Sequence, residues 1–259
     1  MSTDSTLSRG VEFPTRRAWF PSWLGLVRWS LIRHKYLLPA FTLVQALFAV
    51  AIVYGLALLI PAIDLKTARY LYAGAWTLGI IAVGCVLAPQ ITSTSRQEGV
   101  LEYQKTLPVP RSAILLADAV VWSIAALPGI AIGMLAAALR FGLHVHTDIA
   151  TVAAILGAQF TTVSIGYAIA FWLPPNGNSL ATQVIMIGGL LFSPITFPAE
   201  RLPEWAIYLH QFLPFVPLGD IIREAAFRTG SPQALNVAVV ASWALVAYNI
   251  AYIALRKRS

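Results

Sequence analysis

The sequence predicts an all-α, polytopic membrane protein of six transmembrane helices, and three observations carry that reading. Of its 259 residues, 58% are hydrophobic and 11% charged, where ordinary soluble domains carry about 25% charged residues; a water-soluble enzyme is excluded on composition. The charges fall so that uncharged stretches run from Tyr36 to Ile63 (28 residues), Tyr70 to Ser95 (26), Ala119 to Leu139 (21), Ile149 to Ala199 (51) and Thr229 to Leu255 (27). Each is long enough for a bilayer crossing, which takes about 20 residues. Finally, Lys and Arg are divided unevenly between the two sets of connecting segments, as expected of a chain with a fixed orientation in a membrane.

The N-terminal stretch from Met1 to Arg17 is polar and lacks an apolar core, so it is not a cleavable secretory signal. Trp19, Trp23 and Trp29 then interleave with Arg28, Arg33 and Lys35. A headgroup layer accommodates both aromatic rings and snorkelling cations, which predicts an interfacial helix within residues 1–36. The first two spans follow at about 37–60 and 70–92, the third and fourth at about 113–139 and 150–173. As one helix the 51-residue run would measure roughly 76 Å at 1.5 Å per residue, far beyond a hydrocarbon core about 30 Å thick. Pro174-Pro175-Asn176-Gly177-Asn178 breaks it by removing backbone donors and supplying turn conformations, leaving a fifth span at about 180–197. The sixth is expected at about 235–255.

Twelve Lys and Arg lie before span 1, between spans 2 and 3, and at the C-terminus, against six on the opposite side. The positive-inside rule puts both termini in the cytoplasm of a multi-pass protein of the cell membrane. This distribution also accounts for the net charge of +7, and no nucleic-acid partner is implied. Cys85 is the only cysteine, which rules out an intramolecular disulfide and a cysteine-based zinc site. His144-Val145-His146-Thr147-Asp148 offers too few ligands for a metal centre, and no nucleophile, base and acid share a pattern. Catalytic, cofactor and metal residues are therefore all expected to be absent.

Within the spans, Gln45, Gln159, Gln183 and Asn249 should face the bundle, because lipid offers them no hydrogen-bond partner. Asp118 is the one carboxylate inside a predicted span. With Gln45, Gln159 and Gln183 it belongs either to a substrate path or to polar packing; its position near the cytoplasmic end favours an interfacial site, or pairing with Arg111 or a partner subunit. Gly129 and Gly133 permit close helix approach, within the subunit or between subunits.

Two connecting segments stand out. In 93–112, Val100, Tyr103 and Leu107 recur at helical spacing and Pro108 with Pro110 ends the pattern, predicting a short amphipathic cytoplasmic helix that docks a partner. In 198–230, the stretch from Trp205 to Phe212 is too short to cross and is bounded by prolines. It should lie in the outer interface as a re-entrant hairpin with Trp205, Leu209 and Phe212 inward. A second helix from about Leu218 to Arg228 follows, with Glu224 and Arg228 paired at i,i+4.

Glu98-Gly99-Val100-Leu101-Glu102, then Leu107-Pro108-Val109-Pro110-Arg111 and Ile114-Leu115-Leu116, resemble the cytoplasmic loop "E-x-G-T-L-E … L-P-V-S-R … I-L-L" of type-2 ABC transporter permeases. Phe192 to Pro198, Leu202-Pro203-Glu204-Trp205, Leu213-Pro214 and Arg223 are similar to the outer hairpin "P … L-P-x-W … N-P … R" of the same family. Two departures exist: Ala117-Asp118 stands in place of a frequent Gly-Lys pair, and Leu213 in place of the Asn before Pro214.

The resemblance implies a transmembrane domain over 37–259, with 93–112 as a coupling loop in which Arg96, Gln97, Glu98, Gly99, Leu101 and Glu102 meet an ABC ATP-binding subunit. It implies a second permease copy or a sister permease, and a drug- or antibiotic-exporter-like cargo of hydrophobic or lipid-like molecules. Polysaccharide or lipid-linked glycan export is the nearest alternative, and a secondary transporter a more distant one. No Gly-Lys dipeptide occurs in the chain, so the phosphate-cradling loop G-x-x-x-x-G-K-[ST] is absent; ATP and Mg would be held by the partner, and this chain is no enzyme.

Overall fold

The structure is a computed structural model that describes residues 19–56, 58, 64–191, 193–197, 202–230 and 232–256. All regular structure among them is helical. In chain order the helices are α1 (Trp19–Arg33), α2 (Leu37–Val50, continued by a π-helical turn Ala51–Leu56), α3 (Leu65–Gln97), α4 (Val100–Thr106), α5 (Arg111–Phe141), α6 (Ile149–Trp172), α7 (Pro175–Leu191), α8 (Glu204–Phe212), α9 (Phe215–Phe227) and α10 (Ala234–Arg256).

α3 is the hub, packed by α2, α5, α6, α7 and α9. Its residues Leu71, Tyr72, Trp76, Leu78, Ile80 and Ile81 are fully buried, with Tyr72 set against Trp76 at 4.9 Å and edge-on to Phe227 of α9 at 5.3 Å. Apolar burial gives little drive between helices already in lipid, so close packing must hold the bundle. Glycines provide it. The Gly129 and Gly133 positions of α5 lie against Gln45 and Ala49 of α2, one helical turn apart on both helices; the GxxxG spacing therefore serves packing within the subunit. Gly84 of α3 and Gly166 of α6 form a second close crossing, where Gly166 abuts the Gly84 carbonyl and Pro89. Pro89 cannot donate to the preceding turn and its ring crowds the carbonyl four residues back. The π-helical turn Ala82–Leu87 lies just ahead of it and accommodates that crowding. The Pro89 carbonyl accepts from Asn178 Nδ2 of α7 at 3.2 Å.

Among the described residues, five helices are long and apolar enough to cross a membrane: Leu37–Gly55, Leu65–Gln97, Arg111–Phe141, Ile149–Trp172 and Ala234–Arg256. The expected fifth span, at about 180–197, corresponds to the shorter α7, which begins earlier. α7 starts at Pro175, a favoured residue for a first helical position, and its 17 residues cover about 25 Å, short of the core thickness. Pro194 disfavours helical geometry at the residue before it, and Ser193–Phe197 is irregular, with Ile195 and Thr196 buried against Gly74.

The hairpin differs from expectation too. In α8 only Ala206 is buried, and Trp205, Tyr208, Leu209 and Phe212 point away from the protein; the small residue faces the bundle and the large ones are left for lipid or another chain. Arg228 pairs with Asp148 at 2.9 Å, not with Glu224, because it adopts a left-handed C-terminal conformation that takes it off the helical face. Gln183 and Asn249 lie on the exposed surface, and Asn249 satisfies its amide on the Leu245 carbonyl of its own helix. An α-helix offers such a partner locally, so a polar residue need not turn inward. The first 18 residues, the hairpin's start at 198–201 and the C-terminal 257–259 lie outside the described residues.

Candidate functional site

α3 and α5, of 33 and 31 residues, measure about 50 and 46 Å, well over the roughly 30 Å of hydrocarbon. Both therefore run past the hydrocarbon and lead into the connection between them. α3 ends where Gly99 takes φ +74°, a left-handed conformation that costs little for glycine and terminates helices. The Gly99 N–H bonds back to the Arg96 carbonyl at 3.2 Å and the Glu98 N–H to that of Thr94 at 3.0 Å. α4 starts at once, and Pro108 and Pro110 deliver the chain into α5.

The face of α4 differs from the spacing argument. Leu101 and Gln104 are buried while Tyr103 is 59% exposed. Glu98 and Glu102 are likewise more than half exposed, and Gln97 and Gly99 are open. The outward surface is thus two carboxylates beside an aromatic ring. Lys105 holds Glu102 at 2.8 Å.

Leu101 faces the protein, and Arg96, although exposed, reaches back to it. Arg96 donates through its guanidinium to the Ala170 carbonyl near the end of α6, and Leu101 joins the main core. Both are fasteners of the loop, whereas Gln97, Glu98, Gly99 and Glu102 form its accessible surface.

Sequence reasoning missed the part played by α1. Its Leu26 and Val27 pack on Ala113, Ile114, Ala117 and Val121 of α5, and Trp19 donates from Nε1 to the Ser112 hydroxyl at 3.4 Å. Arg33 reaches Ser95 at 2.9 Å and Glu98 at 3.5 Å. Asp118 accepts from the Ser30 hydroxyl at 3.2 Å, so its partner is α1 and not Arg111. His34 donates from Nδ1 to the Ser30 carbonyl at 2.9 Å and lies against Trp122 at 5.6 Å. Burial holds the His34 imidazole below its ordinary pKa, and Arg33 adds to this, against the Ser30 carbonyl. The Ser30 and His34 pair, four residues apart in an otherwise apolar and basic stretch, was the available signal.

The other predicted polar residues do not converge. Gln45 is buried between Gly79 and Gly129, and Gly129 is eleven residues from Asp118 along α5, about 16 Å. Gln159 is buried on α6, and both amides, of Gln45 and Gln159, lack a hydrogen-bond partner among the described residues. Gln183 is outside on α7. At the opposite end of the bundle Asp148 caps α6 by accepting from the Thr151 N–H at 3.0 Å and pairs with Arg228. Its carboxylate is committed to structure.

A family model described as ABC-2 family transporter protein matches residues 61–255. The chain belongs to the ABC-2 transporter family. It is a multi-pass membrane protein and a transport subunit rather than an enzyme, and ABC-2 permeases work with an ATP-binding subunit. A search of curated proteins found no match. The match takes in α3 to α10 almost entire, so the projecting α3–α5 connection and the hairpin of this ABC-2 protein both lie inside the family region, while α1 precedes it.

Proposed function

We propose that this ABC-2 protein is the permease of an ATP-driven exporter and that Glu98, Glu102 and Tyr103 form the surface its ATP-binding subunit grips. One observation supports this above others: an exposed acidic and aromatic knuckle is held rigidly at the tip of two helices too long for the membrane. Arg96 fastens it to α6 and Arg33 to α1. A push on the knuckle therefore moves α3, the hub of the bundle, as a solid body. ATP and Mg bind on the partner, and closure of its two copies favours one of two arrangements of the spans, a population shift that exposes the cargo path.

Gln183 with exposed Leu180, Val184 and Ile187 on α7 supports pairing with a second permease copy along that helix. Clefts of about 300 and 490 Å³ with almost wholly apolar walls suit hydrophobic drugs, antibiotics or lipid-like molecules as cargo. The uneven distribution of Lys and Arg supports a cytoplasmic position for the knuckle and both termini.

The test is the double variant Glu98→Lys with Glu102→Lys, purified with the ATP-binding subunit. Insertion and thermal stability should be kept, since both side chains are largely exposed, and stimulation of ATP hydrolysis by the permease should fall at least tenfold. Full stimulation would sink the assignment of this surface.

A further inference from the structure

A groove of about 470 Å³ opens on the flank of the bundle between α6, α9 and α10. Its walls are small and apolar, with Ala154, Gly157 and Ala158 of α6 facing Val240 and Ala244 of α10. It extends from Asp148 at the start of α6 to Thr161, thirteen residues and so about 20 Å. That is more than half of a hydrocarbon core about 30 Å thick, enough to take an extended chain from the surface past mid-depth.

The charged groups gather at one end only. Asp148 is neutralised by Arg228. Asp220 is neutralised by Arg223, whose guanidinium also lies over the Tyr70 ring at 3.8 Å. Glu224 is left without an ion pair among the described residues: Arg223 attracts it from a distance and the Gln233 N–H bonds to its carboxylate, but its Oε2 is buried without a hydrogen-bond partner. An uncompensated carboxylate oxygen at the mouth of an apolar groove is costly by itself. A ligand carrying N–H donors and a positive charge removes that cost, and an apolar tail fills the space below. An anion meets a net negative rim, and a neutral amphiphile offers the oxygen at most an uncharged donor, a weaker hydrogen bond than that of an ammonium.

We propose that this groove is a binding site for amphiphiles with a protonated primary amine, the ammonium on Glu224 and the tail between α6 and α10. The amine belongs to an aminophospholipid headgroup or to a soluble amphiphile, and the site exists whether or not its occupant is exported. It stands apart from the α3–α5 connection, so failure of the coupling assignment leaves it untouched.

The experiment is native mass spectrometry of the full chain in detergent with hexadecylamine and hexadecanol, probes of equal tail length. The wild type should retain the amine at least about tenfold more than the alcohol, in keeping with a hydrogen bond to a charged group. Glu224→Gln should bring the ratio to near one without lowering retention of the alcohol. Gly157→Leu, whose Cβ meets nothing within 4 Å and whose side chain enters the groove, should lower retention of both probes. Equal retention of the two by the wild type overturns the proposal, as does a preference that survives Glu224→Gln or binding that survives Gly157→Leu. Phosphatidylethanolamine held over phosphatidylcholine in a Glu224-dependent way supports the proposal with a membrane lipid as occupant; hexadecylamine held without phosphatidylethanolamine supports it with a soluble one.

Discussion

Gly166→Ala tests whether the crossing of α3 and α6 limits the stability of this permease. The added Cβ would lie 2.1 Å from the Gly84 carbonyl oxygen and 2.9 Å from Pro89 Cδ. Both obstacles are backbone or ring atoms with no rotamer to change, and the nearer contact is more than 1 Å inside ordinary van der Waals distance. The two helices must separate, and overpacking of this kind costs about 1 to 3 kcal/mol. Alanine's greater helix propensity returns about 1 kcal/mol, so with the obstruction at the severe end the net loss is about 2 kcal/mol. Gly157→Ala supplies the control, since it lies on the same helix and its Cβ meets nothing within 4 Å; it should be neutral or stabilise by up to about 1 kcal/mol. Reversible unfolding in mixed micelles with increasing dodecyl sulfate, followed by tryptophan fluorescence, measures both. The two variants should differ by about 2 to 3 kcal/mol. A Gly166→Ala protein as stable as the Gly157→Ala protein would refute the reasoning.

Further outcomes follow from the loop and from α1. Gly99→Ala forces a left-handed conformation on an L side chain at a cost of about 1 to 2 kcal/mol, and stimulation of the ATP-binding subunit should weaken while membrane insertion is unchanged. Ser30→Ala leaves the Asp118 oxygen without its donor and should destabilise by about 1 to 3 kcal/mol, whereas Asp118→Asn keeps an acceptor there and should cost less; equal melting of all three proteins would contradict this. Because the folded-state pKa of His34 lies below its unfolded value, the unfolded chain binds the proton more readily. Stability is therefore full above about pH 6.5 and declines as pH falls below it. The melting temperature should drop more between pH 8 and pH 5 in the wild type than in His34→Gln, and parallel profiles would remove His34 as the cause.

What was legible in the sequence follows from what a membrane makes costly. Uncharged runs located all five of the long helices to within a few residues, since any charge placed deep would be expensive. Their ends came out too short because charges near a helix end can snorkel: α3 includes Lys66, Arg69 and Arg96, and α5 begins on Arg111. Pro174 was read correctly as a break, yet Pro175 opens α7 instead of lying in a turn. The facing of side chains was much less legible. In α8 and α4 the apolar spacing was real, but lipid, bundle and partner all accept Trp205 or Tyr103, so periodicity could not say which one covers them. Gln183 and Asn249 failed for the related reason that a helix can satisfy or expose an amide without the bundle. Arg228 found Asp148, 80 residues away in the chain, a choice between acceptors that no local spacing encodes. Of the candidate site, Glu98, Gly99 and Glu102 were placed by motif, and the support from Ser30, Arg33 and His34 emerged only from the packing of α1.

The contact between Arg33 and Glu98 makes engagement of the knuckle a contest. Glu98 is its most open carboxylate and is already held, weakly, by a cation of α1 at 3.5 Å; an exposed pair of this kind is worth about 1 kcal/mol or less. A basic group arriving on Glu98 from another protein competes with Arg33, and Arg33 has Ser95 to retreat to. Occupancy of the knuckle would then register on α1 as a loosened latch, a signal sent sideways along the membrane surface while the main thrust travels up α3.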